Sequence, residues 1–237
     1  MGWLAVCTSF GEEYASIQTR MASPQEMSYK HVRATRGFFQ DVPIELLLMG
    51  VGQKGIEKLC ALEWGEYNGF LHLGYCGGLT PKLKVGDLVM PSRCLNGLGE
   101  AAEIEGLNLV LKSPHGVHSG TMVTVDFLAR DHAQKTKLHR EFGAEAVDME
   151  SYELVKRALE GGLSTIILKA VADGVSDDLP PFGNDFEPGA AKENIAAATR
   201  AEPELARRWR ENMLIARESL AQGASQLIPA LHQIWSF

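Results

Sequence analysis

Residues 164–172 (STIILKAVA) restrict the fold more than any other stretch: a β-branched, apolar run of this length, ending at Asp173, reads as a strand buried on both faces. Such a strand needs helices above and below it, and the sequence supplies them. Residues 3–8 form another apolar run, broken by Ser9 and Gly11 and followed by a helix from about Glu12. Residues 43–49 (PIELLLM) form a third, which Gly50-Val51-Gly52 turns into a helical stretch over 53–64, with Ile56, Leu59, Cys60 and Glu63 at helical spacing. Further strands are expected at 70–74, 86–91, 120–125 and 146–149, with helices at 131–141, 151–159, 190–200 and 202–231. Residues 92–118 hold excursions or a short hairpin. Residues 173–188, dense in Asp, Pro and Gly, suit an ordered loop or lid. The alternation predicts an α/β fold of three layers, α/β/α, around a central mixed, mostly parallel twisted sheet, with residues 1–237 as a single domain.

Composition narrows the partners. A formal charge of −7 and a pI near 5.5 oppose nucleic acid, whose binders need a basic face for counterion release. Cys7, Cys60, Cys76 and Cys94 are far apart, without metal-ligand spacing, so free thiols in a reducing compartment and no bound metal are expected. The first residues carry no basic segment and soon reach Gly11-Glu12-Glu13, so neither a signal peptide nor a membrane span is expected, and the chain should be cytoplasmic. No P-loop and no dinucleotide fingerprint occurs, which argues against ATP or NAD; no cofactor is expected.

Three acids stand just past the carboxyl ends of expected strands: Glu13, Glu150 and Asp173. In open α/β sheets that edge binds ligands. Singly, each has an ordinary alternative, because carboxylates favour first helical turns and Asp-Gly is a common turn. Between them in sequence, Gly74-Tyr75-Cys76-Gly77-Gly78-Leu79 lets backbone N–H groups approach a polar ligand or a water.

These residues carry a resemblance. Residues 74–89, from the glycine run through Leu83-Lys84-Val85-Gly86-Asp87, resemble a signature segment of the purine and uridine phosphorylase/nucleosidase superfamily. Ala146-Val147-Asp148-Met149-Glu150 is similar to its ribose-binding "V-E-M-E" segment, and Lys169-Ala170-Val171-Ala172-Asp173 to its "R-A-I-S-D" strand end. Within it, the chain most resembles methylthioadenosine/S-adenosylhomocysteine nucleosidases and hopanoid-associated adenosyl nucleosidases. The resemblance implies a phosphorylase/hydrolase-like fold, often a distorted barrel, assembled as a homodimer or higher homo-oligomer. It assigns Glu150 to the ribose hydroxyls with Met149 beneath the sugar, Asp173 to the acid at purine N7, and Glu13, or Glu12 one register away, to the activation of water. Phe127 matches the aromatic that stacks on the base and Leu128 the residue whose backbone faces it; Tyr75, Cys76 and Gly77 line the turn beside the substrate.

Glycosidic cleavage builds positive charge on the ribose and negative charge on the departing base, and carboxylates can serve both ends. The resemblance implies a purine nucleoside substrate and either of two acceptors. A phosphorylase of the superfamily holds phosphate with arginines near the first strand and before the glycine turn; here those places offer Gly11-Glu12-Glu13 and His72, which favours water. Arg33 and Arg36, read by default as solvated surface, keep phosphorolysis open as the alternative. Asp148 replaces the superfamily's usual glutamate, a side chain shorter by one methylene, and Tyr75 replaces its usual small hydroxyl residue, which makes a nucleoside-binding protein without turnover a second alternative. His72 itself reads better as a satisfied strand-end histidine than as a phosphate ligand.

Overall fold

A computed structural model of the chain describes residues 2–29, 32–59, 64–105, 109–182 and 188–235. Cys60, Glu63 and residues 183–187 of the expected lid lie outside the described residues. The elements run β1 (Trp3–Thr8), α1 (Gly11–Gln18), β2 (Ala22–Ser28), β3 (Arg33–Phe39), β4 (Val42–Leu48), α2 (Gly52–Leu59), β5 (Tyr67–Gly78), β6 (Leu88–Val89), β7 (Arg93–Leu95), β8 (Ala101–Glu103), β9 (Val117–His118) and β10 (Thr121–Thr124). They continue with α3 (His132–Phe142), β11 (Ala146–Asp148), α4 (Ser151–Glu160), β12 (Thr165–Asp173), α5 (Pro188–Ala201) and α6 (Pro203–Trp235).

The sheet is mixed and parallel at its centre. Strands β4, β1, β5 and β12 run parallel side by side, and β11, β10 and β7 form a second parallel group. β5 joins the two: residues 67–72 pair with β1, residues 70–77 with β12, and its last glycines pair antiparallel with β11. β1 and β11 follow one another along one edge of β5 while β12 takes the other, so β5 bridges the two parallel groups. Side chains alternate as period-2 strands demand. Leu4 and Val6 of β1 and Leu71 and Leu73 of β5 face one core with Tyr14 and Ile17 of α1 and Leu220, Leu227 and Leu231 of α6. Ala5 and Cys7 of β1 and Phe70 of β5 face the other core, with Ile56 of α2 and Leu154 and Ala158 of α4. Small residues let α6 lie close to the sheet: a Cβ on Gly223 would meet Leu88 at 2.8 Å and Leu168 at 3.0 Å.

Several expectations are revised. β5 is longer than 70–74, because the glycines read as a turn belong to the strand. Residues 86–91 keep only the two-residue β6, and the helix expected over 53–64 is α2, followed by a single 3-10 turn at Trp64–Glu66. Residues 92–118 do contain a hairpin, β7 against β8. Strands β2 and β3 carry no expectation from the sequence; they form an antiparallel edge on β4. That edge corrects the reading of Arg36 as solvated surface. Arg36 sits directly across from Glu45, ion-pairs with its buried carboxylate at 2.8 Å and with Glu66 at 2.5 Å, and lies 5.1 Å from the Trp3 ring centre. Arg33 is exposed and pairs with Glu26 at 3.4 Å.

Candidate active site

The site forms at the carboxyl edge of β1, β5 and β12, around a lysine buried in the middle of an apolar strand. Lys169 stands opposite Gly74 in the β12–β5 register. Its ammonium lies 3.0 Å from Asp148 Oδ2 and 4.0 Å from Glu150 Oε2, and it donates to His72 Nε2 at 3.2 Å. Burial works against its charge, but Asp148, Glu150 and Glu13 raise its pKa on balance, so it stays ionised. Because an ammonium can only donate, Nε2 of His72 accepts, and the ring proton of the neutral imidazole sits on Nδ1, 3.3 Å from Ser151 Oγ. Burial and then Lys169 hold the His72 pKa well below its usual value, which keeps the ring neutral.

Asp148 is the anchor of this cluster. Ser151 Oγ donates a short hydrogen bond to Oδ2, the Ser151 N–H donates to both oxygens, and Thr124 Oγ1 donates to Oδ1 at 2.7 Å. Its oxygens are spent within the protein, at the start of α4. Glu150 reaches across to the start of α2, where Oε1 accepts from the Gly52 N–H at 2.8 Å. Gly52 has φ +67°, a left-handed conformation that favours glycine, and a Cβ there would approach Met149 Cε at 3.8 Å. Burial pushes the Glu150 carboxyl up, with Lys169 opposing.

Glu13 arrives from the opposite helical layer. Oε2 accepts from the Ser9 and Phe10 N–H groups, each at 2.9 Å, and Oε1 accepts from the Tyr75 N–H at 3.1 Å. It therefore caps α1 and faces the site at once, while Glu12 is exposed. Burial raises the Glu13 pKa to about 7, against the pull of Lys169 and of the three N–H donors. Gly74 keeps the space between these groups open: a Cβ would sit 2.9 Å from Lys169 Nζ and 3.2 Å from Glu13 Oε1.

Asp173, at the end of β12, stands apart with a cation of its own. Lys135, fully buried on α3, meets Oδ1 at 2.5 Å and donates to the Gly174 and Asp177 carbonyls at 2.8 and 2.7 Å. The Asp173 pKa is raised, first by burial, with Lys135 opposing and Asp177 adding a smaller push upward. A Cβ on Gly77 would lie 3.1 Å from Asp173 Oδ1. The neighbouring Cys76 thiol is driven up by burial, with Lys169 opposing and Asp148 and Asp173 adding, so it remains protonated.

The remaining expected residues divide. Met149 and Phe127, the latter 42 % exposed, line a cavity of about 660 Å³ together with Ile56, Leu98, Thr124 and Tyr152. The three acids are not among its walls; Met149 connects it to Glu150 by chain adjacency. Leu128 packs with Leu179, Phe182 and Trp209, beneath the loop that follows Asp173. Tyr75 pairs with Ala170 and turns its phenol to the α6 face, 6.4 Å from the Phe10 ring, so its backbone N–H rather than its hydroxyl serves Glu13. Lys169, Lys135 and Gly52 carry no role in the sequence reading. The lysines did leave a signal, a charge inside a fully apolar strand and another on the inward face of a helix, three residues before Leu138. Gly52 meets Glu150 across 98 residues, which no local pattern announces.

A model of the phosphorylase superfamily matches residues 4–207. A search of the curated proteins finds no significant match. Solved structures share the fold over nearly the whole chain. A mutant of the Helicobacter pylori nucleosidase MTAN with 5′-methylthioadenosine in its active site aligns with a TM-score of 0.70 at 12% identity, covering 98% of this chain and 99% of that one. The Neisseria meningitidis 5′-methylthioadenosine/S-adenosylhomocysteine nucleosidase, in complex with methylthio-immucillin-A, aligns with a TM-score of 0.69 at 15% identity, over 97% and 100%. Futalosine hydrolase of Helicobacter pylori aligns with a TM-score of 0.66 at 14% identity, over 98% of each chain.

Proposed function

We propose that this chain, which belongs to the phosphorylase superfamily, is a purine nucleosidase that hydrolyses the N-glycosidic bond of an adenosine-type nucleoside to free base and a ribosyl product. One observation carries the reading: Glu13 and Glu150 are buried around a single ammonium that Asp148 and His72 already engage, which supplies a base for water and no surplus cation for phosphate within this cluster. Glu150 accepts hydrogen bonds from the ribose hydroxyls above Met149. Glu13, aimed by three backbone N–H groups, takes a proton from water as the oxygen attacks C1′. Asp173 gives its proton to purine N7 as the C1′–N9 bond breaks, so the base leaves neutral. Phe127 stacks on the base, and the Leu128 backbone and the Cys76-Gly77 end of β5 border it. The 5′-methylthioadenosine and methylthio-immucillin-A named for the structural neighbours support an adenosine-type substrate.

The same proposal includes a cytoplasmic homodimer or larger assembly. Exposed Leu98 and Val110 and the half-open Phe127 support it, as apolar side chains a second copy would cover; sedimentation as a monomer at micromolar concentration would refute that part. The catalytic part is tested by incubating the protein with adenosine, 5′-methylthioadenosine, S-adenosylhomocysteine, inosine and futalosine, with and without phosphate, and identifying both base and sugar. Free ribosyl product at a rate indifferent to phosphate is expected. Phosphate-dependent release of a ribosyl 1-phosphate, or no base from any of them, overturns it.

A further inference from the structure

The least expected group in the molecule is Lys135. A lysine without solvent exposure is costly unless paired, and nothing in the folding of α3 demands one: Asp131 caps the helix by accepting from the Gln134 N–H, Gly143 closes it at φ 64°, and Leu138 fills the inward face. Three acceptors surround its ammonium, namely Asp173 Oδ1, the Gly174 carbonyl and the Asp177 carbonyl, as many as an ammonium has protons. The loop is tied down a second time by the Gly174 N–H, which donates to Asp177 Oδ2 at 2.8 Å. Oδ1 of Asp173 is sealed from solvent beside Lys135, while the side chain as a whole keeps 11% exposure.

We infer that Lys135 is the positioning residue of the acid step: by holding Oδ1 and two loop carbonyls at once, it leaves Oδ2 of Asp173 as the oxygen that carries and delivers the proton. The inference rests on the nucleosidase reading of the site. Lys135 serves two opposed needs. It aims the carboxyl, and it limits how far burial raises the carboxyl's pKa, so that Asp173 accepts a proton from solvent yet releases it to the base. The charged and titratable groups facing Asp173 are Lys135 from α3, Asp177 from the loop and the Cys76 thiol from β5; His132, one turn earlier on α3, turns Nδ1 to the Val175 carbonyl at 3.1 Å.

The test compares Lys135→Met and Lys135→Arg with the unmodified protein. The acid must be protonated, so the rate falls on the alkaline side. Removing the cation moves that limb of kcat/KM up by about one pH unit or more, while loss of aim lowers kcat by about 100-fold with KM little changed. Lys135→Arg returns the limb to its original place and recovers most of the rate. Infrared titration of protein labelled with ¹³C-aspartate, with Asp173→Asn to assign the band, reads the same shift without turnover. A loss of rate with an unmoved limb and an unmoved carboxyl band would make Lys135 merely structural and overturn the inference, as would full activity in Lys135→Met. Should Lys135→Met not fold, ¹⁵N-lysine spectra of the unmodified protein decide: the Lys135 Nζ resonance must respond at the pH where the Asp173 band titrates. If the unmodified protein releases no base, the nucleosidase reading fails, and the infrared and nitrogen titrations still decide whether Lys135 governs Asp173.

Discussion

Replacing Lys169 with methionine keeps much of the side-chain volume and removes the ammonium that Glu13, Asp148 and Glu150 share. At an effective dielectric constant of about 20, a charge pair at 4 Å is worth about 4 kcal/mol before desolvation, and Lys169 stands at 3.0 and 4.0 Å from two carboxylates. Desolvation offsets part of this, and breaking a buried pair from one side costs about 3–5 kcal/mol. In a chain of this size that lowers Tm by roughly 10 °C. The penalty has a direction in pH. Glu13 already titrates near 7 in the fold against a reference value of 4.5, first because of burial and with Lys169 opposing. Between those values the folded chain keeps a proton that the unfolded chain releases, so stability falls as pH rises through that window. Without Lys169 the carboxyls titrate higher still, and the window widens upward. Urea unfolding at about pH 5.5 and about pH 8 reads both effects, with the larger deficit expected at the higher pH. A deficit equal at the two values, or under about 1 kcal/mol at pH 8, would refute the idea that Lys169 balances these carboxylates.

Glu13→Gln is expected to lower kcat by about 10²–10⁴-fold. In the unmodified protein only ionised Glu13 accepts a proton, so kcat/KM should fall tenfold per pH unit below the carboxyl's value of about 7; a pH profile of the variant that retains this acid limb would assign the limb to another group. Arg36→Met leaves the buried Glu45 carboxylate with the Tyr67 hydroxyl at 3.0 Å and without its cation. A loss of about 3–5 kcal/mol in urea unfolding follows, whereas a change under about 1 kcal/mol would return Arg36 to the solvated surface.

What the sequence disclosed depended on how local the cause was. β1 and β12 were legible because a strand buried on both faces is apolar throughout. The acids were legible because they follow such runs directly. Glu13 could not be separated from Glu12 until the helix fixed which one turns inward with Tyr14 and Ile17. β2 was illegible for a plain reason: Ala22–Ser28 is almost wholly exposed at the sheet edge and carries no apolar alternation. The glycines at 74 and 77 read as a turn because glycine weakens strands; their cause is distant side chains, Lys169 and Glu13 at the first and Asp173 and Val147 at the second, that occupy the space a Cβ would need. The lysines are illegible for a different reason. A lysine is discounted as surface, yet one set in an apolar strand, or on the inward face of a helix, must have a carboxylate waiting for it.

The two lysines divide the site into compartments of different charge, and that division decides which acceptor the proposed reaction takes. On the sugar side, Glu13, Asp148 and Glu150 outnumber the ammonium of Lys169, and His72 adds nothing while it stays neutral. A phosphate dianion entering there meets unbalanced carboxylate, at about 4 kcal/mol for each unit pair brought to 4 Å, while the Lys169 ammonium already serves Asp148 and His72. Water carries no such penalty, and the positive charge that develops on the ribose is welcome in the same field. On the base side, Asp173 faces Lys135; with the acid protonated the ammonium is the surplus charge, so a purine gathering negative charge meets no carboxylate and finds a proton on the acid. A site assembled to hold phosphate needs the opposite arrangement, with the surplus cation beside the sugar. Lys169 is the cation buried among these carboxylates, but it is engaged by Asp148 and His72 with Glu150 at 4.0 Å, so its charge is answered inside the protein.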